Sequence, residues 1–224
     1  MIPQTLTNLL QQSLPFYHNL TASERELLVQ HATLANYQEG QSLHFGNNDC
    51  IGLLVIKSGS IRTYLLSEEG REVTLYRLGE NEVCILSASC VLKTITFDVF
   101  IEAESDCEIL AVPSSVFLSL STNNIYVEAY MYKLATERFS DVMWTMQQIL
   151  FTSFDKRLAA FLLDETIKEQ SDTLTMTHEQ IAKYLGSARE VVSRMLKYFS
   201  TEGILTLSRG KITILDKKKL RSLL

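Results

Sequence analysis

The sequence contains no hydrophobic run long enough to cross a membrane. Its longest apolar stretch, around Ile51 to Ile56, ends at Lys57, whereas a transmembrane helix needs about 18 to 20 apolar residues. The N-terminus, Met-Ile-Pro-Gln-Thr, also lacks the basic region, apolar core and small-residue cleavage site of an export signal. We therefore expect a cytoplasmic protein with no membrane partner, and we expect its four cysteines to be reduced thiols.

The charge of the chain is unevenly divided along its length. The formal net charge is -5 over 224 residues, which by itself argues against a polyanionic partner. However, residues 1–154 contain 8 Lys and Arg against 17 Asp and Glu, whereas residues 155–224 contain 13 against 9. This asymmetry predicts two modules with different partners, the second of which is suited to an anion such as DNA.

Two kinds of pattern precede the middle of the chain. Residues 1–33 are predicted to be a helical lead-in, in which Thr21 and Glu24 form a capping box. Residues 34–120 consist of short runs rich in β-branched and aromatic residues, separated by turns that contain glycine and asparagine, and they predict an all-β sandwich or barrel. The clearest hairpin joins residues 60–66 to residues 71–76 through Gly70, which is able to adopt a positive φ.

Residues 121–151 predict one long helix. No glycine or proline interrupts residues 124–150, and apolar side chains recur at alternating spacings of three and four: Tyr132, Ala135, Phe139, Val142, Met146 and Ile149. Such a stripe packs either against the protein's own barrel or against a second copy, as in a coiled coil. A helix of this length extends about 40 Å, which exceeds a barrel of this size and favours a homodimer interface.

Residues 152–224 contain the motif that indicates function. The capping boxes Thr177-x-x-Gln180 and Ser187-x-x-Glu190 flank Gly186, which predicts two short helices joined by a tight turn, a helix-turn-helix. Five apolar side chains fall on the inward face: Ile181, Leu185, Val192, Met195 and Phe199. The outward face of the second helix carries Arg189, Glu190, Ser193, Arg194 and Lys197.

The residue types on this outward face suit the major groove of double-stranded DNA. Arginine donates twice to guanine, glutamate accepts from cytosine, and serine and lysine hold phosphates. Thr177 and Ser187, in the first turns of the two helices, are assigned as further DNA contacts. Residues 204–215 predict a hairpin that resembles the wing of a winged helix, with Arg209 and Lys211 near the sugar-phosphate backbone.

The chain resembles the CRP/FNR family of bacterial transcription regulators. The resemblance rests on the order of a barrel, a long helix and a winged helix-turn-helix, together with the motif Arg189-Glu190-x-x-Ser193-Arg194. The resemblance extends to Lys57-Ser58-Gly59-Ser60 in the barrel and Arg209-Gly210-Lys211 in the wing. It implies an α+β chain with a jelly-roll barrel of the cyclic-nucleotide-binding type. It also implies a homodimer that reads a TTGA-type palindrome in successive major grooves about 34 Å apart. Contact with RNA polymerase is implied if the protein activates transcription.

The sensor end departs from the pattern of this family. Members that bind cyclic AMP hold the ribose and the phosphate with a Gly-Glu pair and an Arg-Ser pair, whereas Val83-Cys84 and Phe97-Asp98 stand at those positions here. Because a carboxylate at Asp98 repels a phosphate, we expect neither cyclic AMP nor cyclic GMP to bind. The first cysteine is Cys50, so the N-terminal cluster of the iron-sulfur members is missing as well. The small effector is therefore not identified by the sequence.

Cys84 and Cys90 leave two interpretations open for the sensor. Free cysteines are commonly small buried hydrophobes, and a C-x5-C spacing matches no established metal signature. Alternatively, Cys84, with or without Cys90, senses an oxidant, a sulfur species or a metal and biases the dimerisation helix. His44, in a predicted strand, is a further candidate as a haem ligand.

Two other classes of function compete with a transcription regulator. One is a ligand-binding barrel whose winged helix contacts another protein, but Arg189, Glu190 and Arg194 are the residue types that base edges require. The other is an enzyme, for which the sequence offers no nucleophile–base pair, paired carboxylates or phosphate-binding loop.

Overall fold

The computed structural model describes residues 4–45, 50–88 and 98–224. The chain forms two compact units. The N-terminal unit consists of Met1–Leu65 and Leu75–Val142, and the C-terminal unit consists of Leu66–Thr74 and Met143–Leu224. Over the ranges described, no helix has the length and apolar character needed to span a membrane.

Helices cover one part of the N-terminal unit. They are α1 (Gln4–Ser13), a 3-10 turn (Pro15–Asn19), α2 (Ala22–His31), α3 (Ser114–Asn123) and α4 (Ile125–Phe151), whose last turns belong to the C-terminal unit. The predicted capping box begins α2, because the Thr21 side chain accepts from the Glu24 amide and the Glu24 side chain accepts from the Thr21 amide. This exchange satisfies two amides that have no partner within the helix.

Two four-stranded sheets form the barrel, a jelly-roll sandwich as predicted. One sheet has the order β1-β8-β3-β6 and the other the order β2-β7-β4-β5. The strands are β1 (Thr33–Tyr37), β2 (Ser42–Phe45), β3 (Leu53–Ser58), β4 (Ile61–Leu66), β5 (Glu72–Leu78), β6 (Val83–Cys84), β7 (Phe100–Ala103) and β8 (Cys107–Val112). A 3-10 turn (Leu86–Ala88) follows β6. The predicted hairpin is present, with Gly70 at φ +78° in its turn.

Strand β3 shows why these residues form a layered core. Successive side chains of a strand point to opposite faces. Leu53 and Val55 pack with the helices, while Leu54 and Ile56 pack between the two sheets. All four are at most 1% exposed, and their burial on both faces explains an apolar run with no polar alternation.

The C-terminal unit is a small α+β domain. Its elements are α5 (Phe154–Lys168), β9 (Thr173–Leu174), α6 (His178–Leu185), α7 (Arg189–Thr201), β10 (Leu205–Ser208), β11 (Lys211–Ile214) and α8 (Lys217–Arg221). The three strands pair in the order β10-β11-β9. One apolar cluster joins these elements, and Leu158, Ile181 and Phe199 at its centre are fully buried.

Candidate nucleic-acid interface

Helix α6 begins at the capping box that the sequence predicts. The Thr177 amide donates to Gln180 Oε1 at 2.7 Å, and the Gln180 amide donates to Thr177 Oγ1 at 3.1 Å. Gly186 ends the helix in the left-handed conformation, at φ +58° and ψ +46°. Only glycine adopts this conformation without a steric penalty on its side chain.

The second predicted capping box is wrong. Ala188, not Ser187, precedes helix α7, and no side chain caps the first turn. The reason lies in the preceding turn, where the Ser187 amide donates to the Ala182 carbonyl oxygen at 2.9 Å and so closes α6. Since Ser187 completes the end of one helix, the next helix begins after Ala188.

Helix α7 presents a polar face outward and an apolar face inward. The described structure leaves Arg189, Glu190, Arg194 and Lys197 exposed and Ser193 half-buried. On the inward face the deepest residues are Val192, Leu196 and Phe199, each fully buried. The predicted inward residue Met195 is only half-buried, and the adjacent Leu196, which the sequence pattern did not single out, takes the central position.

His178 and Arg189 interact where α6 and α7 begin. Partial burial lowers the pKa of the His178 imidazole below its ordinary value of 6.5, and the positive charge of Arg189 lowers it further. The starts of α6 and α7 are therefore close enough for Arg189 to act electrostatically on His178, and each first turn also carries a carboxylate, Glu179 in α6 and Glu190 in α7. Helix N-termini favour anions through their free amides and dipole.

The hairpin of β10 and β11 has the form expected for a wing. Ser208 pairs with Lys211, and Arg209 and Gly210 make the two-residue turn between them. Gly210 has φ +71°, and both Arg209 and Lys211 are exposed. The hairpin therefore carries two cations at its tip, as the sequence predicts.

Arg157 on α5 also reaches the turn of the helix-turn-helix, and the sequence pattern gave no indication of this role. Its Nη1 donates to the Leu185 carbonyl oxygen at 2.7 Å. Burial lowers the pKa of this guanidinium, and nearby Arg71 contributes to the shift. Arg157 thus satisfies one of the carbonyl groups that lack an intrahelical partner at the end of α6.

One side of helix α4 is apolar and exposed. Val127, Met131 and Leu134 pack into the core. Most of the predicted seam faces solvent, including Tyr132 (57% exposed), Phe139 (66%) and Met146 (46%). Ile149 is also exposed, whereas Ala135 and Val142 are partly buried and pack against the clusters of the N-terminal unit.

The cysteines differ from the expectation that all four are reduced. Cys84 and Cys107 are buried free thiols, but Cys50 is disulfide-bonded. That expectation followed from the cytoplasmic assignment alone, which carries no information about which sulfur atoms the fold brings together. Cys90 lies outside the described residues. Cys84 is fully buried, which is the environment of an inert cysteine rather than of a reactive, accessible one.

Polar groups accompany Cys84 inside the N-terminal unit. Burial raises the pKa of the Tyr76 hydroxyl well above its ordinary value, and the neighbouring Cys84 thiol adds to this effect. The guanidinium of Arg138, on α4, lies 5.1 Å from the centre of the Tyr76 ring. The cluster of Tyr76, Cys84 and Arg138 therefore links β5 and β6 to α4.

Three of the four residues that the sequence predicts at the nucleotide-ligand positions, Val83, Cys84 and Asp98, lie in the described part of the chain. Val83 and Cys84 form the short strand β6, and neither side chain provides the carboxylate that would bind a ribose. Asp98 is exposed and brings a negative charge, while Phe97 lies outside the described residues. Within the three described ranges, no three His, Cys, Asp or Glu side chains gather as a metal site requires. His44 is buried, so a haem would have to displace packed side chains to reach it.

Comparison with known proteins gives consistent relationships for both units. Residues 34–124 match the family model of the cyclic nucleotide-binding domain, and residues 156–223 match that of the Crp-like helix-turn-helix domain. The cyclic AMP receptor protein of Thermus thermophilus is 24% identical over 200 residues, which cover 89% of this chain and 92% of that protein. The fumarate and nitrate reduction regulatory protein of Vibrio cholerae is 28% identical over 197 residues, covering 83% and 76%.

A solved structure is similar along almost the whole chain. It is a crystal structure of a Crp/Fnr family protein from Eubacterium rectale, with a TM-score of 0.92 and 47% identity. The similarity covers 95% of this chain and 98% of the other. The similar proteins are transcription regulators and not enzymes, in agreement with the missing catalytic motifs.

Proposed function

Because the chain belongs to the CRP/FNR family of transcription regulators, we propose that it binds a TTGA-type palindrome as a homodimer and that a signal received in the barrel controls this binding. The observation that carries the proposal is the face of α7. Arg189, Glu190 and Arg194 are exposed together, while the opposite face of the same helix is packed into the core.

This arrangement supports direct reading of base edges. We assign guanine contacts to Arg189 and Arg194, which can donate to the base, and a cytosine contact to Glu190, which can accept from the amino group. Ser193, Lys197 and Thr177, together with the wing residues Arg209 and Lys211, supply phosphate contacts that set the register. We also assign a phosphate contact to the hydroxyl of Ser187, which is partly buried and whose amide already closes α6.

The exposed side of α4 supports the homodimer. Ile125, Tyr132, Phe139 and Met146 follow one another at intervals of seven residues and are all exposed, which is the spacing of a coiled-coil seam. Large apolar side chains grouped on one helix face mark an interaction site more often than a free surface. A second copy of α4 offers the matching stripe, as the two-fold symmetry of a palindrome requires.

The proposed signal is a redox change or an unidentified small effector, and not a cyclic nucleotide. Disulfides in cytoplasmic proteins are usually transient and redox-sensing, so the bonded state of Cys50 supports the redox alternative. The burial of Cys84 gives it a packing role beside Tyr76 rather than the role of the first target of an oxidant. Asp98 and β6 support the exclusion of cyclic AMP and cyclic GMP.

Fluorescence anisotropy with labelled duplexes tests the proposal. We expect the full-length protein to bind a TTGA palindrome more tightly than a duplex of the same composition with both half-sites scrambled, and to bind more weakly as salt rises. Equal affinity for both duplexes would contradict sequence-specific reading. Calorimetry with cyclic AMP is expected to show no binding at micromolar concentration, and measurable heat would restore a cyclic nucleotide as the effector.

A further inference from the structure

The turn of the β4–β5 hairpin contacts the helix-turn-helix. Residues 66–74, which we call the hairpin tip, belong to the C-terminal unit. The Arg71 guanidinium donates to the Gly186 carbonyl oxygen, and Thr74 Oγ1 donates to the Lys183 carbonyl oxygen at 3.2 Å. Glu72 Oε1 lies 2.9 Å from Lys183 Nζ. Three polar contacts therefore join the hairpin tip to the end of α6 and the turn that follows it.

These contacts meet a need that the turn creates. The last carbonyl groups of a helix have no intrahelical partner. Here the carbonyl oxygens of Lys183 and Gly186 accept hydrogen bonds from the hairpin tip, and that of Leu185 accepts one from Arg157. Packing reinforces the hydrogen bonds, because a Cβ built on Gly186 would lie 3.1 Å from Val73 Cγ2. The turn is thus held by side chains from the hairpin tip and from α5.

We propose that Arg71, Glu72 and Thr74 are positioning residues for the recognition helix α7, an inference that rests on the proposed DNA-binding function. Helix α7 follows Gly186 after only Ser187 and Ala188, so a fixed turn fixes the direction in which α7 starts. The reading face of α7 remains exposed while the tip is docked. Docking of the hairpin tip therefore leaves the DNA-binding surface of α7 accessible and fixes its orientation.

Strand β5 connects the barrel directly to the hairpin tip. Thr74 and Tyr76 both lie on β5, and residues two apart on a strand point to the same side. Tyr76 is buried beside Cys84, whereas Thr74 contacts Lys183. Strand β5 therefore continues from Tyr76 in the N-terminal unit to Thr74 in the hairpin tip.

Removing the charge of Glu72 tests the proposal, because the positioning role and a simple charge effect predict opposite changes in DNA affinity. Glu72→Gln breaks the ion pair and frees Lys183, and Glu69→Gln removes one carboxylate from an exposed position of the same tip. If only overall charge mattered, both variants would bind DNA slightly more tightly. We expect Glu72→Gln instead to lose about fivefold in affinity for the TTGA palindrome, with unchanged affinity for the scrambled duplex. We expect Glu69→Gln to match the wild type.

Two further measurements separate the positioning role from general damage. Exchanging the charges, with Glu72→Lys combined with Lys183→Glu, is expected to restore most of the lost affinity. Amide hydrogen exchange of residues 183–190 in the free protein is expected to be faster in Glu72→Gln than in Glu69→Gln. Palindrome binding by Glu72→Gln equal to or tighter than wild type, or equal amide exchange in the two variants, would overturn the proposal. If the wild type does not prefer the palindrome, the proposed function fails, while the exchange experiment still decides whether the tip orders α7.

Discussion

Gly186 and Val73 are in such close contact that a Cβ on Gly186 would lie 3.1 and 3.2 Å from the two methyl carbons of Val73. Gly203 provides a matched comparison, since it also has a positive φ, +68°, but a Cβ there would meet nothing within 4 Å. Both glycines therefore tolerate alanine poorly for conformational reasons, and only Gly186 adds crowding.

Substitution of these two glycines tests how tightly the turn is packed. We expect Gly203→Ala to cost about 1 kcal/mol of stability through its left-handed conformation alone. Gly186→Ala is expected to cost about 1 kcal/mol more, because Val73 must move. Urea unfolding followed by the fluorescence of Trp144, the only tryptophan, measures both values. Equal losses of stability in the two variants would mean that Val73 moves aside without an energetic cost.

Arg194→Ala is expected to abolish specific recognition while leaving the fold intact. The side chain is exposed, so its removal creates no cavity, and loss of an arginine–guanine contact costs about 1 to 3 kcal/mol per half-site. Anisotropy with the palindrome measures the loss. Arg221→Ala removes the same charge from exposed α8 and is expected to change affinity only slightly. A comparable loss in both variants would show that bulk charge, and not base reading, is responsible.

Phe139→Glu is expected to dissociate the proposed homodimer. Phe139 is 66% exposed in the single chain, and a dimer seam would bury it, so a carboxylate there would have to be desolvated. Sedimentation velocity at several concentrations follows the change in mass. Ser140→Glu adds the same charge at the next exposed position of α4, off the seam, and is expected to remain dimeric. A dimeric Phe139→Glu variant would place the interface elsewhere.

His178 gives the stability of the C-terminal unit a defined pH dependence. Its pKa in the folded protein lies below the ordinary value of 6.5, through burial and the charge of Arg189. The unfolded chain therefore binds the proton more readily, so stability falls as the pH drops through about 6.5. We expect His178→Gln to flatten this dependence in urea unfolding measured between pH 7.5 and 5.5, a range chosen around that pKa. Parallel pH profiles for the variant and the wild type would contradict the assignment.

Alkylation under denaturing conditions distinguishes the cysteines. Without reductant, we expect the reagent to label Cys84 and Cys107, which are free thiols, and not Cys50, which is disulfide-bonded. After reduction, Cys50 is expected to become labelled as well. Peptide mass spectrometry identifies each site. Labelling of Cys50 without prior reduction would show that its thiol is free in the protein as isolated.

Local patterns in the sequence predicted those features that depend on neighbouring residues. The capping boxes at Thr21 and Thr177 were found in the structure because each is a contact over three residues. The Ser187 box failed for an equally local reason, since the turn at Gly186 uses the Ser187 amide to end α6. Ser187 could either cap α7 or close α6, and the spacing of the residues did not indicate which of the two would occur.

Contacts between distant parts of the chain were not predictable in this way. Arg71 and Gly186 are 115 positions apart, and neither the hairpin nor the helix-turn-helix motif carries a local sign of the other. Helical and strand periodicities predict which face of an element is buried, whereas the partner of that face depends on the assembled fold.

The membership of the hairpin tip in the C-terminal unit has a consequence for how this domain can be exchanged between proteins. A chimaera built by transferring residues 143–224 to another sensor would leave behind Arg71, Glu72 and Val73, and the turn would face whatever hairpin the new host provides. A graft of residues 143–224 alone is therefore expected to lose the contacts that hold the turn before α7. A functional graft is expected to need the nine residues 66–74 as well, because they belong to the same compact unit as the helix-turn-helix.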